Sequence, residues 1–299
     1  MSQAASVSVR RPYGLARVCR VLEVPRSTVY ARRERAADPR PPQRPGPRSG
    51  ILPDEVLLER IREVLAASPF HGEGYRKVWA RLRAQGIATD KDRVRRLMGR
   101  AGLLVPQRGG VPHGPAAHDG TITTDRPDEM WGTDATQVVT LEQGTATIFA
   151  VIDHCTAECI GIHAAVRGTR FEALEPLRQG VREHFGSYEQ GATQGLAVRH
   201  DHGSQFLSRY YQGELAFLGA TSSPAFVREP EGNGCIERFW RTLKEQLLWV
   251  RTFRTVEELR VALQEFRDHY NRTWILQKHG YLTPSQVRAK LTTRQEEAA

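Results

Sequence analysis

Three acidic residues, Asp134, Asp201 and Glu237, are the groups of this chain whose types and spacing suit chemistry at phosphorus. Magnesium takes oxygen ligands and keeps several of its waters, so three protein carboxylates leave coordination positions open for phosphate oxygens. Set close together without a cation, three carboxylates repel and at least one takes up a proton. Their proximity therefore makes sense only where a metal is normally bound. Two ions about 4 Å apart would activate an attacking oxygen and stabilise a leaving one during in-line displacement at phosphorus, with water or a DNA 3′-hydroxyl as the attacker. Arg241 and Lys244 follow Glu237, and at about 100° per residue both fall within roughly 40° of it on a helix. Taken by itself that stripe reads more readily as a solvated charged face, since i,i+4 charge pairs are common.

Elements able to position these groups can be read from the periodicity. From Met130 the runs MWGTDATQVVTL, TATIFAVIDHCT and ECIGIHAAV are rich in β-branched residues and predict three consecutive strands. A helix over Phe171–Phe185, a buried strand GLAVRHD, a helix over Ser208–Leu218 and a long helix over Gly234–Val250 follow. Asp134 then lies in the middle of the first strand, Asp201 at the end of the fourth and Glu237 at the opening of the last helix. The order βββ-α-β-α-α is a ribonuclease H-like arrangement in which all three acids meet at one sheet edge. Ile236, Phe239, Leu243, Leu247 and Val250 form a separate apolar stripe that would pack on the sheet. Asp125, Asp128 and Asp153 also flank these strands; Asp153, in FAVIDHCT, is the strongest rival and is read as structural or as support for the site.

The first part of the chain has a different character. Residues 1–112 hold 23 Lys+Arg against 10 Asp+Glu, and the remainder 20 against 24, within a total of +9. A basic half is a footprint for a nucleic acid backbone, the alternative being solvated surface charge. Gly14 to Tyr30 places Leu15, Val18, Val21 and Leu22 at helical spacing, breaks at Val24-Pro25 and restarts with Ser27-Thr28 as caps. As a helix-turn-helix it would present Arg26, Ser27, Thr28, Tyr30 and Arg32 to DNA; an ordinary helical hairpin fits equally. A Pro/Arg linker at 38–50 precedes a helical DNA-binding module at 51–104, whose basic residues include Arg76, Lys77, Arg93 and Arg96. A second linker, 105–122, leads to a catalytic core at 123–252 and a helical tail at 253–299. No run of about 18 apolar residues occurs and no secretory signal opens the chain, so a soluble intracellular protein is expected. His154, Cys155, Cys159 and His163 lack paired Cys-x-x-Cys knuckles, and the cysteines are read as core residues rather than zinc ligands.

The motifs WGTDAT, RHDHGSQF and GNGCIERFWRTLKEQL resemble the DDE core of the retroviral-integrase superfamily. The 35 residues between Asp201 and Glu237, and Lys244 seven positions on, match its signature. With HGEGYRKVWARL, KDRVRRLM, DHYN and GYLTPSQV, nearly the whole chain is similar to the OrfB-type transposases of bacterial insertion sequences. The resemblance implies an α/β fold with a five-stranded mixed sheet and flanking helices, preceded by small all-helical modules. It also implies a transposase that nicks element ends and joins a 3′-hydroxyl to another strand. Asp134, Asp201 and Glu237 would hold two Mg2+ ions, with Mn2+ able to substitute. Lys244, Arg241, Asn233, Gly203, Ser204 and Gln205 would lie along the DNA. Partners implied are element-end and target DNA, further copies of the chain, and a companion protein from a first reading frame. One departure is Gly232-Asn233-Gly234, where this family carries Asp-Asn-Ala; the HHCC zinc domain of retroviral integrases is also missing. A DNA-binding regulator without catalysis and a nuclease that only hydrolyses are the competing readings.

Overall fold

The computed structural model describes residues 7–8, 10–37, 52–105, 124–225 and 233–298. The Pro/Arg linker at 38–50, most of the second linker and Gly232 lie outside the described residues. The chain divides into two compact units, residues 1–52 and 53–299.

In the first unit, α1 (Leu15–Val21) and α2 (Arg26–Ala37) form the expected pair of short helices. Only part of the expected apolar stripe is covered: Leu15 and Val18 are half-buried, whereas Val21 is 74% and Leu22 52% exposed; Cys19, outside that stripe, is buried. Helix α2 begins at Arg26, so Ser27 and Thr28 fall in its first turn rather than capping it.

The second unit opens with α3 (Asp54–Ala67), α4 (Tyr75–Ala84) and α5 (Lys91–Arg100). Leu57, Ile61 and Val64 recur at helical spacing on α3 and are buried with Val78, Leu82, Val94, Leu97 and Met98. Acidic Asp54 and Glu55 sit in the first turn of α3, and the Asp90 carboxylate caps α5 by accepting the Asp92 N–H at 2.8 Å.

Beyond it, β1 (Met130–Thr140), β2 (Gly144–Asp153), β3 (Cys159–Ala165), β4 (Ala197–His200) and β5 (Thr221–Pro224) make one sheet in the order β3-β2-β1-β4-β5. The first three strands pair antiparallel, while β1–β4 and β4–β5 pair parallel. Both faces are covered, and β2 shows why. Its Ile148, Ala150 and Ile152 point into a core with α9 (Gly234–Leu243) and α10 (Val256–Thr273). Its Phe149 and Val151 point the other way, against α6 (Arg170–Phe185) and α8 (Arg209–Leu218). Gly161 on β3 lets α6 lie close, since a Cβ there would stand 2.1 Å from the Pro176 carbonyl oxygen. The result is the expected five-stranded mixed sheet with flanking helices.

Three features depart from the sequence-based expectation. The fifth strand is made from Thr221-Ser222-Ser223-Pro224, which carries no apolar alternation. Helix α9 stops at Leu243 and continues as a π-helical turn over Lys244–Leu248. The wider turn shifts the apolar stripe, so Val250 is 58% exposed and Leu248 takes the buried place. Finally, residues after 252 do not stand apart: Phe253, Leu259, Leu263, Phe266 and Tyr270 share one core with Ile236 and Phe239. Among the described residues no helix is long and apolar enough to cross a membrane.

Candidate active site

The sheet register brings the two aspartates level. Gly132 on β1 pairs with Arg199 on parallel β4; Asp134 comes two residues after the first and Asp201, just past the end of β4, two after the second. Asp134 falls on the face covered by α9, where the Trp240 indole N–H donates to its Oδ2 at 2.9 Å. Gly132 makes room for the start of that helix, since a Cβ there would meet Asn233 Oδ1 at 2.9 Å and His154 Nε2 at 2.6 Å. Helix α9 presents Glu237, exposed, in its first turn.

The acids influence one another's charge. The Asp134 carboxyl is pushed above the usual carboxylate range, first by burial and further by the negative charges of Asp201 and Glu237. Hydrogen bonds from the Ala135 N–H and the Trp240 indole oppose the shift. Among the described residues, no Lys, Arg or His forms an ion pair with any of the three. Nor are three His, Cys, Asp or Glu side chains gathered tightly enough to hold one ion as they stand.

The loop after β4 orients Asp201. Its Oδ1 accepts the Gly203 N–H at 2.8 Å, and a Cβ on Gly203 would stand 2.9 Å from that same oxygen. Close approach is thus the reason for glycine here. His200, buried behind the loop, has Nδ1 2.6 Å from the Asp201 carbonyl oxygen. A carbonyl only accepts, so Nδ1 carries the proton, and Nε2 faces the Ser222 hydroxyl at 2.9 Å. Burial lowers the His200 pKa, in keeping with this neutral tautomer. Ser204 is exposed and Gln205 half-buried on the short helix α7 (Ser204–Leu207). Arg241 is exposed on α9 and Lys244, half-buried, begins the π turn.

Other expected DNA contacts separate into two groups. Arg26, Ser27, Thr28, Tyr30, Arg76 and Arg96 are exposed. Three others have partners within the chain. Asn233 is buried and its Nδ2 faces the Thr133 carbonyl at 3.5 Å, anchoring α9 to β1. Arg93, half-buried, binds Asp54 through Nε at 2.8 Å and Nη2 at 2.5 Å. Lys77 has its ammonium nitrogen buried 2.8 Å from the centre of the Trp274 ring, and burial lowers its pKa to about 7.

Trp240, His200 and Gly132 all support the acids, and all lie inside motifs whose acids alone had drawn attention. The signal for Trp240 was its i+3 spacing from Glu237 on one helix, which any packed aromatic would also show. Asp153 proves to be a structural carboxylate. It is fully buried and accepts the Asp128 N–H at 2.8 Å, the Thr156 N–H at 2.7 Å and the Thr156 hydroxyl at 2.9 Å. Cys155 and Cys159 are buried free thiols, Cys155 pushed up by burial to about 11. His163 contacts Glu172 at 2.6 Å.

Comparison with known proteins gave the following matches. An integrase core domain model matches residues 219–284 and an HTH-like domain model matches 53–110. The HTH-like match thus falls on α3–α5. Transposase InsD of insertion element IS2A/D/F/H/I/K from Escherichia coli is 26% identical over 288 residues, 94% of this chain and 93% of its own length. InsD of insertion element IS2-9 from the same organism, strain K12, is 26% identical over 94% of this chain and 91% of its own. Among solved structures, the BIV integrase catalytic core is 17% identical, with a TM-score of 0.42 over 56% of this chain and 99% of that one. The HTLV-2 integrase catalytic core in complex with magnesium is 16% identical, with a TM-score of 0.42 over 55% and 97%. The chain is thus similar along most of its length to insertion-element transposases, with a match to an HTH-like domain model ahead of a match to an integrase core domain model.

Proposed function

We propose that this protein is a DNA transposase whose Asp134, Asp201 and Glu237 hold divalent magnesium, and that it nicks the ends of its element and joins the freed 3′-hydroxyl to a DNA strand. The observation that supports the reading is that Asp134 on β1 and Asp201 just after the parallel, adjacent β4 are joined by Glu237 in the first turn of α9, with no Lys, Arg or His ion-paired to them among the described residues. An all-oxygen donor set suits a hard divalent cation, and each hydrogen-bonded carboxylate oxygen keeps a second lone pair for it. When bound, magnesium supplies Lewis-acid stabilisation at the phosphoryl oxygens and eases deprotonation of the attacking hydroxyl.

The remaining steps belong to the chain itself. Trp240 fixes the Asp134 carboxylate, while the Gly203 N–H and His200 fix the Asp201 loop. Arg241 and Lys244 neutralise DNA phosphate along the Glu237 helix, and Ser204 and Gln205 donate to the strand beside Asp201. In the reaction a new P–O bond forms to the attacking hydroxyl oxygen as the P–O bond to the leaving 3′-oxygen breaks. The proton lost by the first is matched by one gained at the second. Cutting uses water; joining uses the 3′-hydroxyl in the same site.

An element has two ends to process together, so the working complex contains at least two protomers with end and target DNA, and a companion protein from a first reading frame is supplied in the test. Labelled duplexes taken from the DNA flanking the chain's own reading frame are incubated with Mg2+ and the native chain, Asp134→Asn, Asp201→Asn or Glu237→Gln. Joined products from the native chain alone, with DNA binding kept in the variants, support the reading. Cutting without joining replaces it with a nuclease, and binding without any reaction replaces it with a regulator.

A further inference from the structure

The loop between α3 and α4 is fastened to the catalytic region at several points. Phe70 is 6% exposed, in the core beneath α9 and α10, its ring centre 4.7 Å from that of Trp274 and 6.4 Å from that of Phe266. Beside it, the His71 N–H donates to Gln246 Oε1 at 2.7 Å and Gln246 Nε2 donates to the His71 carbonyl at 2.9 Å. One primary amide therefore satisfies both backbone groups of a single residue, which requires a donor and an acceptor on the same planar group. Around this clasp, Lys77 lies over Trp274 and Arg81 Nη2 donates to the Thr273 carbonyl at 3.1 Å. Gln246 belongs to the π turn that begins at Lys244. Such turns recur at functional sites, where the widened backbone re-aims side chains.

We propose that Gln246 is a positioning residue that locks the HTH-like domain onto the turn carrying Lys244, so that DNA held by the domain meets the acids in one register; this rests on the transposase reading. Orientation fixed before DNA arrives removes part of the entropic cost of aligning the scissile phosphate. The docked arrangement is then the working one. Flexible reach by the domain is not needed for cutting.

The test uses the full chain, Mg2+ and duplexes from its own flanking DNA. Gln246→Ala is expected to bind them within about twofold of the native chain, to cut about tenfold more slowly, and to spread its cuts over neighbouring phosphates. Gln246→Glu, which still accepts from His71 N–H but turns a carboxylate to the His71 carbonyl, should fall between. His71→Cys with Gln246→Cys, joined by a short reducible bis-maleimide, should regain single-position cutting; the four native cysteines are buried and compete little. Unchanged rate and cut position in Gln246→Ala overturns the proposal, as does a cross-linked protein that cuts only after reduction. If the native chain leaves its flanking DNA intact, the transposase reading fails on its own. The clasp is then judged by hydrogen exchange at the His71 amide, expected to be protected and to lose protection in Gln246→Ala; an unprotected amide in the native chain overturns it.

Discussion

Two groups of carboxylates in the same unit are treated in opposite ways. At the β2–β3 turn, Asp153, Asp128 and Glu158 surround Arg288, which donates to Asp128 at 2.6 and 3.1 Å, binds Glu158 and stands 4.0 Å from Asp153. Backbone and hydroxyl donors complete Asp153. Asp134 on β1, Asp201 after β4 and Glu237 on α9, by contrast, form no ion pair with a Lys, Arg or His among the described residues. The first cluster shares an internal cation and is closed by hydrogen bonds, so it acts as structure, fastening α11 (Pro284–Ala298) to the sheet. The second keeps uncompensated charge and lone pairs. The difference teaches where a divalent ion would have somewhere to go: acids lacking an internal counter-charge are the ones that gain from an external one.

The comparison is broken most severely at Arg288. Arg288→Met leaves buried acids without their cation and should cost about 3–5 kcal/mol of stability, measured by chemical denaturation. A loss below about 1 kcal/mol would mean that the two clusters do not differ as argued. Next comes Trp240→Phe, which removes the charge-directed bond to Asp134 and should cost about 2 kcal/mol. Lys77→Met is expected to act in the opposite direction, raising stability by about 1 kcal/mol at pH 7, because a buried amine with no hydrogen-bond acceptor is replaced by an apolar chain on the same indole. Its amine has a folded pKa of about 7 against an ordinary value of about 10.4. Between these values the unfolded chain binds the extra proton, so native stability rises with pH there, and Lys77→Met should flatten that rise over pH 7–9.

Asp134→Asn should have the smallest effect on stability, within about 1 kcal/mol, because it relieves like-charge repulsion while weakening one hydrogen bond. The sign of its pH dependence is fixed. A raised carboxyl keeps its proton in the folded state just above the usual carboxylate range, where the unfolded chain has lost it. Without metal, native stability therefore falls as pH rises through that window, and Asp134→Asn removes this contribution.

The sequence revealed the acids and most of the elements because both are local or nearly so. Strand-like runs set β1–β3, helical periodicity set α3–α6, and the Asp201–Glu237 interval pointed to the site through a family signature. What stayed hidden depends on contacts distant in sequence or on small backbone choices. Thr221–Pro224 becomes a strand because β4 offers it a parallel partner, not because its residues prefer one. Nothing in Lys244-Glu245-Gln246-Leu247-Leu248 marks a π turn, since the same residues suit an α-helix. Lys77 and Asn233 look like polar surface groups until Trp274 and β1 close over them, and Arg93 reads as a DNA contact until Asp54 is seen beside it.

Direct titration of Mn2+ into the metal-free chain, followed by electron paramagnetic resonance without DNA, tests the central claim most simply. Saturable binding that is lost in Asp134→Asn, Asp201→Asn and Glu237→Gln, and retained in Asp153→Asn variants that remain folded, is the predicted result. Equal binding by the native chain and all three triad variants would contradict the assignment of these acids as the metal site.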